Sequence, residues 1–135
     1  MAEGEPRWCR GIRGAITVEH NTREEVLAAT RDLLVRMIEA NGIKAADVTC
    51  AFFTTTVDLN AEFPALAARQ LGWTEQALMC GHEMNVPGSL QKCIRIMVLV
   101  NTSKKASEVQ HIYLKGAVNL RSSGLTGESA FKPAP

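Results

Sequence analysis

The sequence predicts a single α/β or α+β domain of about five strands, with one long helix and one short one against the sheet. Three observations carry this. Apolar residues alternate with a period of two in several separate stretches, the mark of half-buried strands. One stretch of about twenty residues switches to helical spacing behind an N-terminal capping signal. A proline then opens a second, shorter helical stretch between two strand-like runs.

The first strand is read over Ile12, Ile16 and Val18, with Arg13, Ala15 and Thr17 between them. Thr22-Arg-Glu-Glu25 follows as a capping box, in which the hydroxyl and the carboxylate satisfy free N–H groups. Val26, Thr30, Leu33, Leu34, Met37 and Ile38 then recur at helical spacing, and Asn41-Gly42 offers a left-handed stop. That helix would be about 30 Å long and covers one face of a sheet.

Val48 to Val57 is β-branched and aromatic, a second strand. Pro64 starts a short helix that runs to about Leu71. Ala77 to Met84 reads as a third strand, and Val86-Pro-Gly-Ser89 as a tight turn with Pro87 and Gly88 placed for type II geometry. Lys92 to Asn101 is the strongest strand. His111 to Leu120 is mixed, and helix and strand both stay open there. Residues 1–9 and 122–135 read as tails, the second rich in small, turn-forming residues.

Composition narrows the function. Fifteen Lys and Arg stand against 14 Asp and Glu, a balance that argues against a nucleic-acid footprint or a polybasic membrane anchor. No run approaches the roughly 18 apolar residues that span a bilayer. The polar start lacks the apolar centre of a signal peptide, so a cytoplasmic protein is expected. Cys9, Cys50, Cys80 and Cys93 include no C-x-x-C pair and read as free thiols. Cys80-x-His82 with Cys93 is a poor zinc signature. As a thiol–imidazole pair Cys80 and His82 lack an orienting third residue, and Trp73 after Gly72 reads as a packing anchor. No phosphate-binding glycine loop is present.

Strand parity exposes the residues that do not fit a core. Ile94, Ile96, Val98 and Val100 form one face of the strongest strand; Cys93, Arg95, Met97 and Leu99 form the other. Arg95 is thus the only charge inside a strand apolar on both sides. A buried guanidinium is costly unless paired. A salt bridge to Glu83 and a contact with an anionic or electron-rich ligand both answer that need, and the strand alone leaves both open. Arg13 lies opposite Ile12 and Ile16, between Gly11 and Ala15, where small neighbours leave room for a ligand. Taken singly, Arg13, Arg69, Tyr113 and Arg121 read as ordinary solvated residues.

Together these stretches resemble the AroH-type chorismate mutases, the class distinct from the all-helical one. The resemblance runs through Arg10-Gly-Ile-Arg-Gly-Ala15, Thr17-Val-Glu19, Thr22-Arg-Glu-Glu25, Asp58-Leu59, Phe63-Pro-Ala65 and Ala68-Arg69. It continues through Val86-Pro-Gly88, Cys93-Ile-Arg95, His111-Ile-Tyr-Leu114 and Ala117-Val-Asn-Leu-Arg121. Nearly all of residues 10–121 is covered, in order, which makes 10–121 the expected enzymatic domain.

The resemblance implies an α+β subunit with a mixed five-stranded sheet and helices on one side. It implies a homotrimer with a barrel-like core and active sites in clefts between neighbours. The implied reaction turns chorismate into prephenate on the way to phenylalanine and tyrosine. That rearrangement is intramolecular, so it needs no nucleophile, metal, cofactor or general base; the protein holds a dianion in a compact chair and stabilises charge as a carbon–oxygen bond breaks. Arginine suits both tasks.

By resemblance, Arg95 stands beside the ether oxygen, Arg13 and Tyr113 hold one carboxylate, and Arg69 and Arg121 line the mouth and attract the other. Glu83 accepts from the ring hydroxyl, and Phe63, Ala65 and Leu120 form apolar wall. Cys80 also matches a substrate-contacting position, yet strand parity sets it opposite Glu83. Either the strand bends or Cys80 acts through its backbone. Leu66, Gln110, Ser122-Ser123 and a longer N-terminus depart from the family pattern. A Rid-type trimer of similar fold and a non-catalytic sensor of a small acid are the competing readings. The first lacks its motifs here, and the second has no need of a cation at the ether oxygen.

Overall fold

The computed structural model describes residues 5–120; Arg121 and the expected C-terminal tail lie outside the described residues. One five-stranded mixed sheet runs in the order β3-β2-β4-β1-β5. Its strands are β1 (Trp8–Thr17), β2 (Val48–Thr55), β3 (Ala77–His82), β4 (Cys93–Thr102) and the two-residue β5 (Ile112–Tyr113). The expected number of strands and the mixed pairing are both present. β1–β4 and β2–β4 are antiparallel, while β2–β3 and β1–β5 are parallel.

Helix α1 (Arg23–Asn41) covers one face of this sheet. It buries Val26, Leu33, Leu34 and Met37 against Ile12, Ile16, Ile94, Ile96 and Val98, the apolar parity of β1 and β4. Burying a large aliphatic side chain is worth about 1.5–3 kcal/mol, so this seam decides which face of each strand turns inward. The second helix, α2 (Ala65–Gln70), adds Ala65 and Ala68 to the same core.

The ends of α1 only partly follow expectation. The Glu25 amide donates to Thr22 Oγ1 at 3.1 Å, and Gly42 closes the helix at φ 62°. However, Glu25 Oε1 accepts from the Glu19 and His20 amides, each at 3.0 Å, rather than from Thr22. The carboxylate therefore ties down the chain entering the helix, and the hydrogen bonds hold its pKa below the ordinary value near 4.5.

Other boundaries shift as well. β1 starts at Trp8, inside the expected N-terminal tail, because Trp8 and Cys9 pair with Thr102 and Asn101. Pro64 is the residue before α2 rather than its first, and its carbonyl accepts from the Ala67 amide at 3.0 Å. The stretch from His111 is neither one helix nor one strand: β5 gives way to a 3₁₀ turn at Lys115–Ala117. The turn at 86–89 is as expected, with Gly88 at φ 84° and the Ser89 amide donating to the Val86 carbonyl at 3.1 Å.

Candidate active site

The face of the sheet turned away from α1 carries the chemistry. Register sets it: Ala15 of β1 and Thr54 of β2 flank Arg95 of β4, while Arg13 pairs with Met97. Arg95 therefore rises between two small side chains with Arg13 one step away on the same face. Beyond β3 the chain keeps pairing for one residue, the Glu83 amide donating to the Thr55 carbonyl at 2.8 Å. That bond turns the Glu83 side chain onto the same face. β5 brings Tyr113 beside Ala15, and the Arg13 amide donates to His111 Nδ1 at 2.9 Å.

These elements enclose a cleft of about 240 Å³ lined by Arg13, Ala15, Thr54, Glu83, Arg95, Met97 and Tyr113, among others. Four expected site residues, Arg13, Glu83, Arg95 and Tyr113, meet there. Leu120 packs nearby on a small cluster of Ala15, Cys93, Ala117 and Tyr113. Below Arg95, burial pushes the Cys93 thiol above its ordinary pKa, although the neighbouring guanidinium pulls the other way.

Arg95 itself is less buried than its strand suggested. Its side chain is 38% exposed, because the described residues cover this face around Ala15 and Cys93 but leave it open at Arg95. Its Nε is buried, and among the described residues it has no hydrogen-bond acceptor. Glu83 Oε2 stands 3.9 Å from Nε, an ion pair without a hydrogen bond. That oxygen accepts instead from the Thr54 hydroxyl. A pairing made only for stability would close this gap, since an unsatisfied buried donor costs about 1–3 kcal/mol. The arrangement keeps a cationic donor open toward the cleft.

The remaining site candidates lie elsewhere. Cys80 pairs with Phe53 and His82 with Thr55, all on the helix-covered side, so the parity conflict with Glu83 is real and no bend removes it. Cys80 and His82 line a second cleft of about 360 Å³ together with Glu62, Phe63 and Pro64. Phe63 is 69% exposed there. His82 Nδ1 approaches Thr55 Oγ1 at 3.0 Å, and Cys80 has no imidazole partner among the described residues. Arg69 is exposed in the last turn of α2. Ala65 is 1% exposed and sits in the core cluster. Thr54, Phe52 and Met97 also line the first cleft. Parity alone sets Met97 beside Arg95, but only the β2–β4 register shows that Thr54 and Phe52 stand next to them.

The fold and this cleft define an α+β protein whose open sheet face presents converging cations, a carboxylate and a phenol to a small anionic molecule. A profile of the family described as chorismate mutase type I matches residues 9–123. The chorismate mutase AroH of Thermus thermophilus is 50% identical over 113 residues, 83% of this chain and 93% of that protein. The chorismate mutase AroH of Bacillus subtilis is 47% identical over 113 residues, 83% of this chain and 89% of its own. A solved chorismate mutase from Clostridium thermocellum superposes with a TM-score of 0.78 at 53% identity, over 79% of this chain and 96% of that one. The chain belongs to the type I chorismate mutases, a family of isomerases.

Proposed function

We propose that the chain rearranges chorismate to prephenate, as an enzyme of aromatic amino acid biosynthesis, at a site completed by a neighbouring copy of itself. The observation that carries the chemistry is the open Arg95–Glu83 pair. Arg95 faces the ether oxygen of the substrate, where negative charge grows as the carbon–oxygen bond breaks. A fixed donor at such a position is typically worth ~10²–10³ in rate. It gives up no proton, since a guanidinium stays charged.

Arg13 and Tyr113 hold one carboxylate, Arg13 as an ion pair and Tyr113 through its hydroxyl. Glu83 accepts from the ring hydroxyl with the oxygen that Thr54 leaves free, and opposes positive charge on the ring fragment. The gain comes from a restrained chair and pre-set charges, with no covalent intermediate.

Strand parity supports a shared site. Glu83 and Cys80 lie on opposite sides of one sheet, so no cleft within a single chain reaches both. A second copy can present its Phe63, Cys80 and Arg69 to the open face of the first. That face also exposes Phe52 at 40% and Met79 at 63%, side chains that pair directly across β2 and β3. Covering them removes apolar surface from water. A closed ring of three copies repeats this contact without leaving an open end.

The test is loss of chorismate, followed by ultraviolet absorbance, on purified protein treated with a chelator and given no cofactor. Sedimentation measures the assembly in the same buffer. Turnover by a trimer is expected. No turnover, or turnover only on adding metal, overturns the reading.

A further inference from the structure

We propose that Thr54 is a positioning residue that keeps the Arg95–Glu83 pair open; the inference rests on the reading above for its consequence in turnover. Thr54 stands directly across the ladder from Arg95 on one side and from Gly81 on the other. Glu83 follows Gly81 by two residues, so its side chain lies on the same face of the sheet as Thr54. The hydroxyl of Thr54 donates to Glu83 Oε2.

That same oxygen is the one 3.9 Å from Arg95 Nε. Two donors thus compete for one acceptor, and the threonine holds it. The Glu83 backbone is pinned by its amide bond to Thr55, so the side chain alone decides which donor is served. With the hydroxyl gone, among the described residues no other side-chain donor engages Oε2. A movement of about 1 Å then brings Oε2 to ordinary hydrogen-bond distance from Nε. The buried, unpartnered Nε gains an acceptor, and desolvation favours that closure. A closed pair ties the cation meant for the ether oxygen to Glu83 and shifts the carboxylate away from where its free oxygen meets the ring hydroxyl. Thr54 touches no reacting atom. It acts through Glu83.

Thr54→Val keeps the branched shape and removes the donor; Thr54→Ser keeps the donor. Thr54→Ala serves if the valine variant does not fold. The first measurement is independent of turnover: the side-chain Nε–H resonance of Arg95, assigned by its loss in Arg95→Lys. In Thr54→Val it should move downfield and exchange more slowly with solvent, and in Thr54→Ser it should match wild type. The second is kinetics with chorismate. Thr54→Val should lower kcat by roughly ten- to a hundredfold, the worth of a hydrogen bond to a charged group. Thr54→Ser should stay within about threefold of wild type. In a Glu83→Gln background the valine substitution should change kcat less than about twofold, because the two act as one unit.

An unchanged Arg95 resonance in Thr54→Val overturns the inference, as does an equal loss of kcat with and without Glu83. Failure of the wild type to convert chorismate sinks the proposed function instead, and the resonance still decides the role of Thr54.

Discussion

Removing Arg95 separates a catalytic cation from a structural one, because the structure assigns very different magnitudes to the two. In Arg95→Ala the lost ion pair is 3.9 Å long between side chains 38% and 35% exposed, so screening leaves it worth less than about 1 kcal/mol. Glu83 keeps its hydrogen bond from Thr54, and no buried charge is left alone. Some packing of the aliphatic stem is lost on an already open face. A loss of this size moves the midpoint of unfolding by no more than about 5 °C. Turnover is another matter. A donor facing the developing oxyanion is worth ~10²–10³, or about 2.7–4 kcal/mol, and the loss should fall mainly on kcat.

The assay is chorismate loss at saturating substrate, beside a thermal melt and sedimentation of the same sample. A thousandfold loss in an assembly of wild-type size and near wild-type midpoint fits the reasoning. Unfolding of both Arg95→Ala and Glu83→Ala would show a structural salt bridge instead, and an Arg95→Ala that still turns over at the wild-type rate would refute the catalytic role.

Two further predictions concern the frame. A Cβ on Gly14 would stand 2.6 Å from Met37 Sδ, 3.0 Å from Leu33 Cδ1 and 3.2 Å from the Ile112 carbonyl. The methionine can yield, but that carbonyl is backbone in the β1–β5 ladder, so Gly14→Ala should cost about 1–3 kcal/mol by thermal melt. KM should rise too, since Tyr113 follows Ile112; an unchanged melt would contradict this packing. Glu25 has a lowered carboxyl pKa in the folded chain because the His20 and Glu19 amides donate to it. Its stabilising effect is therefore present above the ordinary carboxyl value and is lost as pH falls through the folded value. The wild type should melt above Glu25→Gln at neutral pH, with the difference vanishing in acid; a constant difference would mean that the carboxylate charge plays no part.

Much of this architecture could be read before any coordinates. Periodicity marks α1, β2, β3 and β4, since core burial enforces it, and parity correctly set Arg13 and Arg95 on the face opposite Ile12 and Ile96. It also set Cys80 opposite Glu83, and that conflict turns out to be a property of the fold. Long-range pairing was hidden. The start of β1 at Trp8 depends on Thr102 and Asn101, far along the chain. Thr54 draws its meaning from standing opposite Arg95. Short-range chemistry failed where geometry offered a better partner, as when the Glu25 carboxylate bypassed Thr22 for Glu19 and His20. Arg95 reads as a buried charge because its strand is apolar on both sides; its 38% exposure follows from an open sheet face that strand periodicity does not reveal.

The site shared between copies is the central proposal, and subunit mixing tests it most directly. Arg95→Ala and Arg69→Ala, each expected to be nearly inactive alone, are unfolded together in equal amounts and refolded. If a site takes Arg95 from one copy and Arg69 from its neighbour, random assembly of trimers restores both arginines in about a quarter of sites. Chorismate turnover should recover to about a quarter of the refolded wild-type rate. A mixture no more active than its two components would place the whole site within one chain and contradict the account.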